Sequence, residues 1–181
     1  MSKLSDISLV QQVLIHHNKL AFEQLVVRYQ EPIRRFLLGQ TLGDKALSDD
    51  LAQDTFVKAY TRLYQFKGQS KFSTWLYRIA YRVYYDYLRS HKYTTPIDAT
   101  ILHNKSSNEA PQGLRMDIYK ALAILNDVER ICVTLQLIDS EPIDKIAEVT
   151  SLPVGTVKSH LFRGKQKLVT YLKNNGYDRK G

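Results

Sequence analysis

Among 181 residues only Cys132 is a cysteine, so no internal disulfide can form. No apolar run approaches the roughly 18 residues needed to span a bilayer. The opening residues, MSKLSDISLVQQ, lack the apolar core of a signal peptide, which predicts a cytoplasmic protein without membrane insertion. A phosphate loop is also missing, because Gly155 and Gly164-Lys165 have the wrong spacing for one. The five histidines (His16, His17, His91, His103 and His160) form no ligand-like set with Cys132 or the acids. These absences argue against a metal centre, a nucleotide-using enzyme or a nuclease. We expect no catalytic residue, no metal and no cofactor. Period-two alternation, internal repeats and low-complexity tracts are absent too.

Acidic residues are the remaining shortage. Lys and Arg number 26 against 18 Asp and Glu, a net charge of +8. That excess favours a polyanionic partner, either nucleic acid or an anionic membrane surface. Hydrophobic residues make up 44% of the chain, enough for compact cores.

The apolar spacing follows three and four, so the predicted fold is all-α. Leu4, Ile7, Val10 and Leu14 share one face of a first helix. Ala21, Leu25, Tyr29, Ile33, Phe36 and Leu37 share a face of a second, which Pro32 kinks or restarts. A third helix is expected to start near Ser48 as N-cap, with Asp49 and Asp50 in its first turn. Its buried stripe is Leu51, Thr55, Phe56, Ala59, Leu63 and Phe66. After the loop KGQSK comes a long aromatic helix, FSTWLYRIAYRVYYDYLRSHK. Residues 93–111 are polar, hold Pro96 and Pro111, and lose the periodicity; they read as a flexible linker. The chain thus divides into two small helical domains, 1–92 and 112–181. In the second, Leu114, Ile118, Ala121 and Leu125 fit one face. Asn126 and Glu129 read as a capping box, and Val128, Ile131, Cys132 and Leu135 as the buried stripe that follows.

The segment PIDKIAEVTSLPVGTVKSHLFRGKQKL has the form of a helix-turn-helix. Pro142 opens its first helix, Thr150-Ser151-Leu152 is the turn and Pro153 opens the second. On the second helix Val154, Val157, Leu161, Gly164 and Leu168 cluster on one side. Lys158, Ser159, Phe162, Arg163 and Gln166 fall on another. Phe162 lies amid that polar side, away from the core stripe, where a ring suits a thymine methyl; Lys158, Ser159 and Arg163 suit base edges or phosphates. From Val154 onward there are seven basic residues against one acid, Asp178.

In the aromatic helix Leu76, Ile79, Ala80, Val83 and Tyr87 form a core face. Tyr77, Tyr81, Tyr84 and Leu88 make a second stripe, expected to be packed. Trp75, Arg78, Arg82, Tyr85 and Arg89 make a third. Rings alternating with guanidinium groups suit unpaired bases and their phosphates.

Four blocks, AFEQLVVRY, DDLAQDTFVKAY, FKGQSKFSTWLYRIA and IAEV-xxx-PVGTVKSHLFRGKQKL, stand in this order. With them the chain, from about Leu20 to Leu172, resembles a bacterial sigma factor of the extracytoplasmic-function group. The resemblance implies that the helix Asp49 to Phe66 binds the clamp helices of core RNA polymerase, with Asp50, Gln53 and Asp54 at the contact positions. It implies that the loop and helix Lys67 to Lys92 open promoter DNA and hold flipped bases of the melted non-template strand. Lys71, Trp75, Arg78, Arg82, Tyr85 and Arg89 are the candidates there. The helix-turn-helix would read duplex DNA at the upstream promoter element. Thr156, Lys158, Ser159, Phe162 and Arg163 are its reader candidates, with Lys165 and Lys167 on phosphates. An anti-sigma factor is an implied partner.

The chain departs from the family pattern at four places. Arg82 stands where many relatives have Asn, Ser151 where the turn usually has Gly, His160 where Arg is usual, and Asp144-Lys145 where an acidic pair is common. These bear on the promoter sequence read. IAEVTSLPVGTVKSHL also resembles the reader of response-regulator outputs, although the α/β pattern of a receiver domain is missing. A metal role for Asp50 and Asp54 competes with the polymerase contact, but no His or Cys lies near them in sequence.

Overall fold

A computed structural model describes residues 4–92 and 112–177. The expected linker, 93–111, lies outside the described residues. All the regular elements described are helical. They are α1 (Asp6–His16), α2 (Lys19–Gln40), α3 (Lys45–Thr61), α4 (Phe72–Lys92), α5 (Gln112–Ala123), α6 (Asp127–Val133), α7 (Ile143–Thr150) and α8 (Val154–Asn174). A 3-10 turn, Leu63–Gln65, follows α3, and a π-helical stretch, Thr134–Ile138, continues α6. No helix among the described residues is long and apolar enough to cross a membrane.

Each boundary has a local cause. Ser5 caps α1 by accepting from the Ser8 N–H at 3.2 Å. The start of α3 differs from expectation: Asp44 is the N-cap, accepting from the Leu47 N–H at 3.0 Å. Ser48 is buried inside the helix and donates to the Asp44 carbonyl at 2.6 Å. A carboxylate at a helix N-terminus also meets the dipole, which gives Asp44 the advantage over Ser48. Pro32 sits inside α2, which nevertheless runs unbroken for 22 residues. The expected capping box is present, with Asn126 accepting from the Glu129 N–H and Glu129 accepting from the Asn126 N–H.

In the N-terminal half, α2, α3 and α4 pack around Ala21, Leu25, Ile33, Phe36, Leu51, Ala59, Leu76 and Ala80. Burial of each large side chain contributes about 1.5–3 kcal/mol. The face of α1 is rotated from the one expected. Leu9, Val10 and Val13 are buried, while Leu4, Ile7 and Leu14 are exposed. Asp6 sets that rotation, because its carboxylate is held by Arg28 and by the Tyr29 hydroxyl of α2. Ile118 of α5 is likewise exposed, and Leu122 is buried in its place.

The sequence divides into two halves, but the packing is continuous across them. The hydrophobic cluster runs from Leu9 through Phe36 and Tyr84 to Ile131 and Leu161. Polar side chains stitch the seam. Arg35 of α2 holds Asp139 at 2.7 Å, and the Asp139 side chain is almost wholly buried. Tyr84 donates to the Gln40 carbonyl at 3.1 Å and accepts from Arg130 at 3.3 Å. Gly39 allows the close approach of Thr134, since a Cβ there would lie 3.0 Å from the Thr134 methyl. Burial, with Asp139 and Glu141 nearby, pushes the Tyr77 hydroxyl above the usual tyrosine range.

Candidate nucleic-acid interface

Helices α7 and α8 form the predicted helix-turn-helix. Ile146, Val149, Val157 and Leu161 are buried between them and α6. Ser151 makes the turn with φ +58°, in the left-handed region that a glycine adopts without cost. Val157, Leu161 and Gly164 face inward along α8. Phe162 points away, 64% exposed, as its place on the wheel predicts. Lys158, Ser159, Arg163 and Lys165 are exposed, and Thr156 is half-buried. The Ser159 hydroxyl donates to the Gly155 carbonyl at 3.0 Å. His160 lies 3.3 Å from Arg163; partial burial and that positive neighbour push its pKa down, favouring the neutral ring.

The sequence grouped Lys167 with the phosphate-binding residues. In this structure its ammonium donates to the carboxylate of Glu129 at 2.7 Å. Glu129 is only 2% exposed and also lies 3.8 Å from Arg163. Burial alone would raise its pKa. The bonds from Lys167 and the Asn126 N–H, with the charge of Arg163, hold it below the usual carboxylate range. The capping box signalled a local role for Glu129, but a contact 38 residues away leaves no trace in helical periodicity.

The stripe on α4 divides into two parts. Arg82, Tyr85 and Arg89 are exposed, with Lys71 at the start of the helix. Trp75 and Arg78 are half-buried. Trp75 packs against Phe66 and Phe72, both at 5.6 Å between ring centroids. Arg78 Nε donates to the Glu148 carbonyl of α7 at 3.1 Å. Tyr77 and Tyr84 are buried and Tyr81 is half-buried, as expected of a packed stripe. Tyr81 stacks near Tyr85 at 4.9 Å.

Asp50, Gln53 and Asp54 share the exposed face of α3. Beside them runs a groove of about 390 Å³, lined by Phe22, Val26, Gln53, Phe56, Val57 and Tyr60. Val57 is 56% exposed and Tyr60 43%. Helical periodicity gives no sign of this groove, because Val57 and Tyr60 fall outside the buried stripe of α3. Among the described residues no group of three His, Cys, Asp or Glu comes together as a metal site.

Two family matches cover the two halves. Residues 25–94 match sigma-70 region 2, and residues 115–168 match sigma-70 region 4. The chain is 32% identical to the ECF RNA polymerase sigma-E factors of Salmonella typhimurium and Escherichia coli K12, over 92% of its length and 93% of theirs. The Haemophilus influenzae sigma-E factor is 29% identical over 92% of this chain and 94% of its own. Among solved structures, the Bartonella quintana sigma factor RpoE bound to the anti-sigma factor NepR superposes with a TM-score of 0.70. It is 23% identical, over 84% of this chain and 96% of that one. CnrH bound to the cytosolic domain of CnrY also gives a TM-score of 0.70, at 24% identity over 95% and 99%.

Proposed function

The chain belongs to the extracytoplasmic-function sigma factors of bacterial RNA polymerase, and from that premise we propose which of its surfaces recruit polymerase, read duplex DNA and hold the opened strand. The reader is α8. The observation that carries this is Phe162, a 64% exposed ring set among cations on the second helix of a helix-turn-helix. Phe162 meets a thymine methyl in the major groove. Arg163, Ser159 and Thr156 address base edges, and Lys158 and Lys165 hold phosphates.

The second surface is on α4. Arg82, Tyr85 and Arg89, with Lys71, offer rings and cations to bases leaving the duplex. Stacking of about 1–3 kcal/mol per base offsets part of the cost of strand opening. Trp75 belongs to this surface through its exposed edge, and Arg78 joins it when α7 moves away. Arg82 in place of the usual Asn supplies a charge near the captured base, so its preference differs from that of such relatives.

Polymerase binds α3. The Phe22, Val57 and Tyr60 groove, rimmed by Asp50, Gln53 and Asp54, suits an amphipathic helix with basic flanks. Polymerase then holds the two DNA-binding surfaces at a fixed separation, raising the effective concentration of each for its element. The chain itself performs no covalent chemistry and works in the cytoplasm with the polymerase. By likeness to the Bartonella quintana complex, an anti-sigma factor is a further partner.

The test is run-off transcription with core RNA polymerase on a matched promoter. Phe162→Ala with Arg163→Ala should abolish core-dependent transcripts from that promoter while core binding persists. Unchanged selectivity would overturn the reader assignment.

A further inference from the structure

Glu129 sits at the third position of α6, where one oxygen accepts from the Asn126 N–H at 3.3 Å. That capping bond needs an acceptor and no charge, so glutamine would serve. The charge meets something else. Lys167 Nζ lies 2.7 Å from Oε2, and Arg163 Nε lies 3.8 Å from Oε1. The two cations are one turn apart on α8, and Gly164 between them faces α6. A Cβ at Gly164 would come 2.9 Å from a Val133 methyl and 3.5 Å from the Glu129 Cβ. This close approach brings a buried carboxylate beneath two cations that are each about half exposed, Arg163 at 55% and Lys167 at 45%.

A carboxylate and a DNA phosphate compete for the same ammonium. Glu129, 2% exposed on a short helix in the core, has no freedom to follow its partner outward. We propose that Glu129 is a positioning residue for promoter reading: it withholds Lys167 from phosphate and draws Arg163 to the α6 flank of the reader helix, fixing the side from which Arg163 meets base edges. Phe162 and Lys158 lie outside this arrangement and keep their freedom, and Ser159 bonds only to its own helix. The inference rests on α8 being the reader.

The experiment measures binding of the reconstituted holoenzyme to duplex promoter DNA across a salt series. It also measures base preference on promoters randomised in the upstream element. The proteins are wild type, Lys167→Gln, Glu129→Gln, the double variant, Arg163→Ala and Phe162→Ala. Lys167→Gln should leave the salt slope unchanged. Glu129→Gln should steepen it by about 0.9, one phosphate contact, and the steepening should vanish in the double variant. Glu129→Gln should also shift base preference at the positions that Arg163→Ala affects. The proposal is overturned if Lys167→Gln flattens the slope by about one contact, or if Glu129→Gln changes neither slope nor preference. Lys167→Gln keeps an N–H donor for the Glu129 carboxylate, so it decides the first half even if Glu129→Gln fails to fold. If Arg163→Ala and Phe162→Ala both leave base preference untouched, the reader assignment itself has failed and this inference falls with it.

Discussion

The guanidinium of Arg78 on α4 is bonded to the main chain of Glu148 on α7, 3.1 Å from its carbonyl oxygen. One helix carries the stripe proposed to hold the opened strand and the other is the first helix of the helix-turn-helix, so the two halves of the chain touch at this stripe. An Arg78 engaged this way has no donor at Nε for a phosphate. Its Nη groups keep their donors, so only a strand contact that also takes Nε would require α7 to move.

The Arg35–Asp139 pair gives a handle on that movement. Arg35→Ala would leave the Asp139 carboxylate buried without its partner. A fully buried pair broken this way costs about 3–5 kcal/mol; here Arg35 is half exposed, so about 1–2 kcal/mol is expected. Amide hydrogen exchange should accelerate in α7. The isolated chain should bind a non-template-strand oligonucleotide more tightly than wild type. Exchange in α7 matching that of wild type would show that the halves stay together without this pair.

Asp139 and Glu129 should give pH dependences of opposite sign. Burial pushes the Asp139 carboxyl up, and the bond to Arg35 offsets this only in part. A raised folded pKa gives stability that is full below the unfolded value and lost as pH rises through the folded one. Glu129 is depressed, its burial outweighed by Lys167, Asn126 and Arg163. Its contribution is present above the unfolded value and lost as pH falls through the folded one. Thermal melts from about pH 3 to about pH 7 read both. Asp139→Asn should remove a loss of stability on raising the pH, and Glu129→Gln a loss on lowering it. Melts of both variants parallel to wild type would contradict the assignment.

Ser151 holds the turn of the helix-turn-helix at φ +58°. A non-glycine residue there costs roughly 1 kcal/mol. Ser151→Gly should raise the melting temperature by about 2–4 °C. A lower melting temperature would mean that the serine side chain stabilises the turn.

At Gly164 α8 comes close to Val133 and Glu129 of α6. Gly164→Ala places a methyl 2.9 Å from Val133 and should cost about 1–3 kcal/mol by overpacking. Val133→Ala in the same chain removes the opposing methyls, so the double variant should recover part of that loss. Strictly additive losses in denaturant titrations would show that the clash is relieved elsewhere.

The helices, the helix-turn-helix and the outward ring of Phe162 were legible because each is a matter of local periodicity. The Asn126–Glu129 capping box was legible for the same reason. The start of α3 was not, since Asp44 and Ser48 are both good caps and the apolar spacing does not choose between them. The rotation of α1 was also hidden, because Asp6 finds Arg28 and Tyr29 only after two helices meet. The candidate sites divided along the same line. Exposed positions such as Arg82 and Arg89 follow from the wheel, whereas the bonds of Lys167 and Arg78 join residues 38 and 70 apart. No spacing rule reaches that far.

The groove beside Asp50, Gln53 and Asp54 makes a last claim separable from folding. Val57 is 56% exposed, so it contributes little to the core of this half. A charge there would meet water in the free protein and an apolar partner in the complex. Val57→Asp should therefore leave the thermal melt within about 0.5 kcal/mol of wild type. It should weaken binding of core polymerase at least tenfold, about 1.4 kcal/mol. Asp54→Lys tests the rim independently, through a slower association that depends less on salt. Analytical competition against an unmodified sigma factor for limiting core enzyme measures both. If Val57→Asp competes as well as wild type, polymerase does not use this groove, and the acidic face of α3 must be assigned to another partner.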